Sequence, residues 1–240
     1  MSEPLFSLTE VTKTRRQGPG YALHISRLVI QPGETIAITG PSGCGKSTAL
    51  DIMGMALQPD TAREFYLRVG GQEVDVAKCW QKGQQDRLAN LRLKYLGYVL
   101  QTGGLLPFLN VRQNMELTAS INNLPGRDNH VRELAAALNI ERLLDSMPGK
   151  LSIGERQRVA ICRSLAGRPA VIMADEPTAA LDPIQAEIVL DMFLNAVRTM
   201  GVTLILVTHN HDIVKSRQLK EIRITLEPQP DGVSRAILED

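Results

Sequence analysis

A glycine-rich stretch near residue 40 is the part of the sequence best suited to binding a phosphate. It matches the pattern GxxxxGK(S/T) over residues 40–47 and is followed by Thr48. Its members are Gly40, Pro41, Ser42, Gly43, Cys44, Gly45, Lys46 and Ser47. Small glycines let successive backbone N–H groups surround a phosphate, and the N-terminus of a following helix adds positive potential. We therefore expect Lys46 to reach the β- and γ-phosphates of a nucleotide, and the Ser47 hydroxyl to bind Mg²⁺.

Two adjacent carboxylates, Asp175 and Glu176, form a second group that could do chemistry. They follow an apolar run at residues 171–174, which favours a buried strand. An acid at the carboxyl end of a parallel strand, opposite a phosphate loop, is placed to hold Mg²⁺, and we assign this role to Asp175. Glu176 points elsewhere and is placed to polarise a water molecule that attacks the γ-phosphate.

Gln101 and His209 also follow apolar runs that favour strands. Taken alone, His209 has the features of an ordinary surface or core histidine, and Gln101 is equally ordinary. Together with Lys46 and Asp175, however, they all come directly after strands of one inferred parallel sheet. Because ligands bind at that edge of such a sheet, we include both residues in the candidate site.

The elements that must position these residues are predicted from the hydrophobic pattern. Residues 5–11 and 21–30 favour strands, and residues 35–39 form a short apolar strand that leads into the glycine-rich loop. Continuous apolar runs at residues 170–174 and 202–207 are typical of central strands that helices cover on both faces. These patterns predict an α/β fold with a mostly parallel sheet.

The middle of the sequence has a different pattern. Val131, Leu134, Ala135 and Leu138 recur with the spacing of an amphipathic helix. We therefore expect residues 103–150 to form a mainly helical insertion between two strands of the sheet.

The composition excludes several classes of protein. The 240 residues carry 27 Lys and Arg against 26 Asp and Glu, a net charge of +1, so we expect no nucleic-acid partner. The three cysteines form no CxxC pair or Cys/His cluster, which argues against a disulfide framework or a zinc site and favours a reducing compartment. We see no secretory signal and no apolar run long enough to span a bilayer, so work at a membrane would require a partner.

Residues 151–158, with the sequence LSIGERQR, carry a family resemblance. They resemble the LSGGQ signature of the nucleotide-binding subunits of ABC transporters. The resemblance covers about residues 5–225, with the phosphate loop, Gln101, the signature, Asp175 and Glu176, Asp182 and His209 in family order. Residues 156–182 are most similar to the branch of lipoprotein-release (LolD), macrolide-export (MacB) and cell-division (FtsE) proteins.

The resemblance implies a single domain over residues 1–240. This domain would have a P-loop NTPase core with a mostly parallel sheet, an N-terminal antiparallel β-subdomain and an inserted helical subdomain. The core and β-subdomain would cover about residues 1–100 and 168–240, and the helical subdomain about residues 101–167.

The resemblance also implies an ATPase that works as a head-to-tail homodimer with Mg²⁺. Each ATP would lie between Lys46 of one copy and both Ser152 and Gly154 of the other, whose signature helix offers N–H groups to the γ-phosphate. Asp182 would reach across the dimer, although it is equally suited to capping the helix that Pro183 opens.

The family pattern assigns the remaining roles as well. Gln101 would contact Mg²⁺ and the attacking water, and His209 the γ-phosphate, so that Lys46, Glu176 and His209 are the catalytic set. The partner would be an integral membrane permease, which places the chain peripherally at the cytoplasmic face of the inner membrane. The apolar segment of residues 103–109 would either receive that permease or pack into the helical subdomain.

Three residues depart from the family pattern. Ile153 replaces a glycine and Glu155 a glutamine in the signature, and Arg15 stands where an aromatic residue commonly stacks on adenine. A guanidinium can also lie flat on a purine, so Arg15 is our candidate for that contact, while Tyr21 fits a strand-packing position. Two alternatives stay open: a soluble ABC-type ATPase that acts on nucleic acid, and a nucleotide-dependent switch with little turnover.

Overall fold

The computed structural model describes residues 3–15, 21–227 and 234–239. The chain forms two compact units, one of residues 1–92 and 205–240 and the other of residues 93–204. The first unit contains the phosphate loop and His209, and the second contains Gln101, Asp175 and Glu176.

The described residues contain ten strands and eight α-helices. The strands are β1 (Phe6–Arg15), β2 (Tyr21–Ile30), β3 (Thr35–Thr39), β4 (Thr61–Val69), β5 (Gln72–Asp75), β6 (Leu96–Val99), β7 (Val171–Asp175), β8 (Thr203–Val207), β9 (Lys220–Glu227) and β10 (Ser234–Glu239). The helices are α1 (Lys46–Met53), α2 (Val76–Gln81), α3 (Gln85–Tyr95), α4 (Val111–Ile121), α5 (Arg127–Ala137), α6 (Ile153–Ala166), α7 (Pro183–Met200) and α8 (His211–Ser216).

Seven strands of the first unit lie side by side in the order β5-β4-β1-β2-β10-β9-β3. β1 pairs antiparallel with β2 and β4, and β4 pairs antiparallel with β5. β10 is parallel to β2, and β3 is parallel to β9. The antiparallel strands at the N-terminus confirm that part of the predicted fold class.

β3 and α1 hold the two ends of the phosphate loop. β3 is buried from Ile36 to Thr39, as its apolar sequence predicts, and it leads directly into Gly40. α1 begins at Lys46, directly after the loop, and ends at Met53, where Gly54 is the C-cap. The predicted order of strand, loop and helix is therefore confirmed.

The second unit has a parallel strand pair and a helical layer. β6 and β7 are parallel neighbours, and residues 171–174 of β7 are fully buried. α4 and α5 follow β6 in the sequence and precede β7, which confirms the expected helical insertion. α6 packs against α4, α5 and α7, and it begins at Ile153 within the signature segment, as the resemblance implies.

Some element bounds differ from the sequence-based expectation. β1 continues to Arg15, four residues past the predicted end, because pairing with β2 extends through the polar residues 12–15. The second unit starts at residue 93 and ends at residue 204, whereas the helical subdomain over residues 101–167 stays a prediction. Within the described ranges, no helix is both long and apolar enough to cross a bilayer.

Candidate nucleotide site

The phosphate loop depends on glycine at its first and last glycine positions. Gly40 has a φ of 153°, and a Cβ added there would lie 2.9 Å from the carbonyl oxygen of Ile224 on β9. Gly45 has a φ of 100°, and a Cβ there would lie 2.8 Å from Cε2 of the Tyr21 ring. Only glycine combines these backbone angles with these close approaches. The loop is therefore shaped by its backbone, as phosphate binding through N–H groups requires.

Lys46 is oriented by the loop itself. Its side chain is buried, and Nζ donates hydrogen bonds to the carbonyl oxygens of Gly40 and Pro41, both at 2.9 Å. Gly45, the N-cap of α1, supplies no side-chain hydrogen bond, and the first turn carries no acidic residue. The N–H groups at this helix start therefore face no competing side-chain acceptor from the cap, while Ser47 is exposed beside them.

His209 lies in the same cavity as the phosphate loop. The cavity is lined by Gly40, Pro41, Ser42, His209, His211 and Arg223. The structure therefore brings His209 to the loop, as its position after β8 predicts. His211 and Arg223 were not predicted, and they make the surroundings of the cavity more basic.

A hydrogen-bonded cluster adjoins this cavity. Glu221 Oε1 accepts from the Thr39 hydroxyl at 2.7 Å and lies 2.8 Å from His211 Nδ1 and 3.3 Å from the Arg223 guanidinium. The pKa of Glu221 is lowered from its ordinary value, first by the Thr39 hydrogen bond. The sequence pattern pointed to none of these four residues, since they come from separate segments of the first unit.

Tyr21 also contacts the loop, which the strand-packing interpretation did not anticipate. Its hydroxyl is 2.5 Å from Thr48 Oγ1, and its ring lies against Gly45. Arg15 is the cross-strand neighbour of Tyr21, and the buried Arg15 Nε has no hydrogen-bond partner among the described residues. The proposed base contact of Arg15 stays a prediction, and Tyr21 is a second side chain on that side of the loop.

In the second unit, the structure places Gln101 and the two carboxylates at one sheet edge. Val99 of β6 pairs with Ala174 of β7, so Gln101 and Asp175 follow neighbouring parallel strands. Glu176 has a φ of 45°, a left-handed conformation that is rare for a residue with a side chain. Such strain often occurs at functional sites, and it turns the chain directly after Asp175.

The signature segment forms a complete capping box at the start of α6. Ser152 N and Oγ both donate to Glu155 Oε2 at 2.9 Å, and Glu155 N donates to Ser152 Oγ at 3.3 Å. The pKa of Glu155 is lowered, first by the backbone N–H of Ser152, and Arg142 lies 3.5 Å from the carboxylate. The Glu155 carboxylate is therefore bonded to its own helix start, where it occupies the N–H and hydroxyl donors of Ser152.

Ser152, Gly154 and Asp182 line one cavity in the second unit, together with Ile153, Glu155 and Leu181. Asp182 caps α7 by accepting from Gln185 N at 3.1 Å, and Pro183 is the first residue of that helix. The predicted cap is confirmed, and the cavity places the carboxylate near the signature. Its role across a dimer stays a prediction.

The predicted magnesium ligands fit a hard cation that keeps other ligands. No group of three or more His, Cys, Asp or Glu residues in the described parts of the chain could hold a metal. Ser47 and Gln101 supply neutral oxygens and Asp175 one carboxylate. Mg²⁺ is usually bound by one or two carboxylates, with phosphate and water oxygens completing its shell. This donor set therefore fits magnesium better than a zinc site, which would need nitrogen or sulfur ligands.

Comparison with known proteins identifies the family. The family model described as "ABC transporter" matches residues 23–179. The lipoprotein-releasing system ATP-binding protein LolD 1 of Rhodospirillum rubrum is 40% identical over 220 residues, which are 90% of this chain and 93% of that protein. The macrolide export ATP-binding/permease protein MacB of Marinobacter nauticus is 35% identical over 226 residues, 92% of this chain but 33% of that protein.

A solved structure supports the same relationship. It is the dimeric, post-hydrolysis state of the ATP-binding cassette MJ0796 bound to ADP and Pi. The two chains are 30% identical, and the TM-score is 0.70 with 91% of this chain and 93% of that chain covered.

Proposed function

Since the chain belongs to the ABC transporter family and is an ATPase of a membrane transporter, we propose that two copies close around two ATP molecules and drive a separate permease. The observation that carries this proposal is the phosphate loop. Its glycine backbone, its buried lysine and its open helix start together form a nucleoside triphosphate site.

In the first unit, the chain binds and orients the triphosphate. The loop N–H groups surround the β-phosphate, and Lys46 exchanges its bonds to two loop carbonyls for the β- and γ-phosphates. Ser47, Gln101 and Asp175 would hold Mg²⁺, which would supply positive charge to the phosphates. His209 faces the loop from the same cavity and donates a hydrogen bond to the γ-phosphate.

In the second unit, Glu176 is the general base of the proposed reaction. It accepts a proton from the water molecule that attacks the γ-phosphate, while Gln101 positions that water. Glu176 is half-buried and has a left-handed backbone, so the chain turns directly after Asp175. The two adjacent carboxylates can therefore have different roles.

The signature cavity supports the proposed dimer. Ser152 and Gly154 start α6 at a cavity that also holds Asp182, and a second copy would bring its bound γ-phosphate there. The related cassette MJ0796 is dimeric in its post-hydrolysis state. ATP binding then favours closure, and loss of the γ-phosphate lets the two copies separate.

The proposed membrane partner is a permease of the lipoprotein-release or macrolide-export kind. We infer that the permease is a separate subunit, because LolD 1, of which this chain covers 93%, is named as the ATP-binding protein of a lipoprotein-releasing system. Phe108 is 72% exposed on a loop that Asn114 and Arg163 fasten to α4 and α6. We assign permease docking to this loop at the cytoplasmic face of the inner membrane, for export, extraction or mechanotransmission.

The decisive experiment compares phosphate release by the wild type and by Glu176→Gln. The variant keeps the shape of the side chain but cannot accept the proton, so we expect phosphate release to fall by about a hundredfold or more. It should also form an ATP-dependent dimer in size-exclusion chromatography with light scattering. Equal rates would remove Glu176 from the mechanism, and a variant that stays monomeric at saturating Mg-ATP would contradict the dimer.

The same experiment tests a switch with little turnover. One observation favours this alternative: the Ser152 hydroxyl and N–H are both bonded to Glu155 rather than free for a phosphate. A wild type that dimerises with ATP but releases no phosphate above the background without enzyme would establish the switch.

A further inference from the structure

Glu221 joins two segments that lead to the phosphate site from different directions. Its Oε1 accepts a hydrogen bond from Thr39 at 2.7 Å and lies 2.8 Å from His211 Nδ1. Thr39 is the residue directly before Gly40, where the phosphate loop begins. His211 comes two residues after His209. One carboxylate oxygen therefore links the base of the loop to the segment that carries His209.

The surrounding backbone makes this link stiff. Gly40 packs so closely on β9 that an added Cβ would lie 2.9 Å from the Ile224 carbonyl oxygen. Thr208 N donates to the Ile38 carbonyl at 3.1 Å, which fixes the chain just before His209. Between these backbone contacts, Glu221 is the side chain that bridges the two segments within the cluster.

The chemistry of the contacts favours a strong link. Thr39 is fully buried and Glu221 is half-buried, so solvent competes weakly for their hydrogen bond. The lowered pKa of Glu221 keeps it ionised at neutral pH, and hydrogen bonds to an ionised carboxylate are stronger than neutral ones. An ionised carboxylate is only an acceptor, so the imidazole must donate from Nδ1. This bond fixes both the orientation of the His211 ring and its tautomer.

Two further charges adjoin the cluster without replacing the link. The Arg223 guanidinium is 3.3 Å from Glu221 but is exposed, and Lys220 on the same strand pairs with Glu34 at 3.3 Å. Exposed ion pairs contribute little to stability. We therefore expect Thr39 and His211 to carry the effect, with Arg223 contributing less.

We propose that Glu221 is a positioning residue for ATP hydrolysis, which holds His209 in register with the phosphate loop through His211 and Thr39. The inference rests on the proposed function, because it assumes that His209 contacts the γ-phosphate during hydrolysis. Such a residue acts on the transition state more than on the bound substrate, since small displacements of a phosphate contact slow the reaction while the loop still binds ATP.

The test measures kcat and KM for ATP in the full-length chain and its variants. We expect Glu221→Ala to lower kcat by about tenfold with KM changed by less than about twofold. Thr39→Val and His211→Ala, which each remove one donor, should lower kcat in the same way by smaller factors. Glu227→Gln is the matched control, because it neutralises an exposed carboxylate on the same strand and should leave both constants unchanged.

Conservative variants distinguish a positioning role from a general loss of structure. The side-chain nitrogen of asparagine can occupy the place of His211 Nδ1, so His211→Asn should restore most of the activity that His211→Ala loses. Thr39→Ser should do the same for Thr39→Val. The double variant Glu221→Ala/His211→Ala should be no slower than the slower single variant, because both remove one link.

The results that would overturn the positioning role of Glu221 differ from those that would overturn the proposed function. An unchanged kcat in Glu221→Ala, a parallel rise in KM, or additive effects in the double variant would each overturn the positioning role while hydrolysis itself stands. Thermal unfolding shows whether Glu221→Ala folds. If it does not, the positioning role is tested by comparing kcat between Thr39→Val and Thr39→Ser, and between His211→Ala and His211→Asn. Absence of hydrolysis in the wild type would instead contradict the proposed function.

Discussion

The phosphate loop and the signature segment are both helix starts that we assign to the same triphosphate, but they are built in opposite ways. At the loop, the N-cap Gly45 offers no side-chain acceptor. At the signature, the N-cap Ser152 and Glu155 satisfy each other in a capping box. The loop therefore presents its backbone donors ready for an anion, whereas the signature must exchange internal hydrogen bonds for external ones.

This difference suggests why the two regions have different tasks. A site that must hold a nucleotide benefits from preorganised backbone donors, because no capping side chain has to be displaced from them on binding. A site that must close and reopen benefits from an alternative set of partners, because these stabilise the open state. The capping box gives Ser152 such partners whenever no phosphate is present.

Among the changes that test this comparison, we expect the largest effect from adding a single methyl group to the loop. Gly45→Ala places a Cβ 2.8 Å from the Tyr21 ring at a φ of 100°, whereas Gly43→Ala meets nothing within 4 Å at a φ of 77°. Both variants bear backbone strain of about 1–2 kcal/mol, and only Gly45→Ala adds a clash. Titration with a fluorescent ATP analogue should show a loss of affinity at least about tenfold greater for Gly45→Ala.

Similar affinities for the two variants would mean that the fit between Tyr21 and the loop is unimportant. The conclusion that close packing of the Tyr21 ring against Gly45 shapes the phosphate loop would then be wrong.

Whether the sequence predicts a contact in this arrangement depends on how far apart the two contacting residues lie along the chain. The order of strand, loop and helix around Lys46 and the helical insertion after β6 follow from local patterns and were predicted correctly. The capping box is also local, since Ser152 and Glu155 have the spacing that signals one. The Glu155 contact could therefore have been found from the sequence.

Contacts between distant segments could not be predicted in this way. Thr39 and Glu221 are 182 positions apart, and they meet only because β3 and β9 are parallel neighbours. Tyr21 reaches Thr48 because β2 passes the loop, which no periodicity in either segment indicates. Residues of ordinary type at single positions become recognisable as a site only after the strand order is known.

A smaller effect is expected at the signature, on stability rather than on nucleotide affinity. Ser152→Ala removes the cap of α6 and should lower the free energy of unfolding by about 1 kcal/mol, whereas Ser152→Thr keeps a capping hydroxyl and should lose less. Urea unfolding followed by circular dichroism measures both values. Asp182→Ala, which removes the side-chain cap of α7, provides a matched loss in the same unit.

Unchanged stability in Ser152→Ala would show that the capping box does not hold the signature in its resting state. The side-chain cap at the start of α6 would then contribute no free energy that the uncapped start of α1 lacks.

The smallest effect concerns the charge of Glu155. The pKa of this carboxyl is lowered below 4.5 by the Ser152 N–H, so the fold stabilises its ionised form. That stabilisation is complete above pH 4.5 and is lost as the pH falls through the lowered pKa. We expect Glu155→Gln to be less stable than the wild type at pH 7 by under about 1 kcal/mol, because the carboxylate lies near solvent. The difference should shrink as the pH falls through the lowered pKa, measured by urea unfolding with Glu141→Gln as the control for removing one charge. A difference that stays constant with pH would show that Glu155 stabilises the signature by its shape alone, and the exchange of partners we infer at Ser152 would not depend on charge.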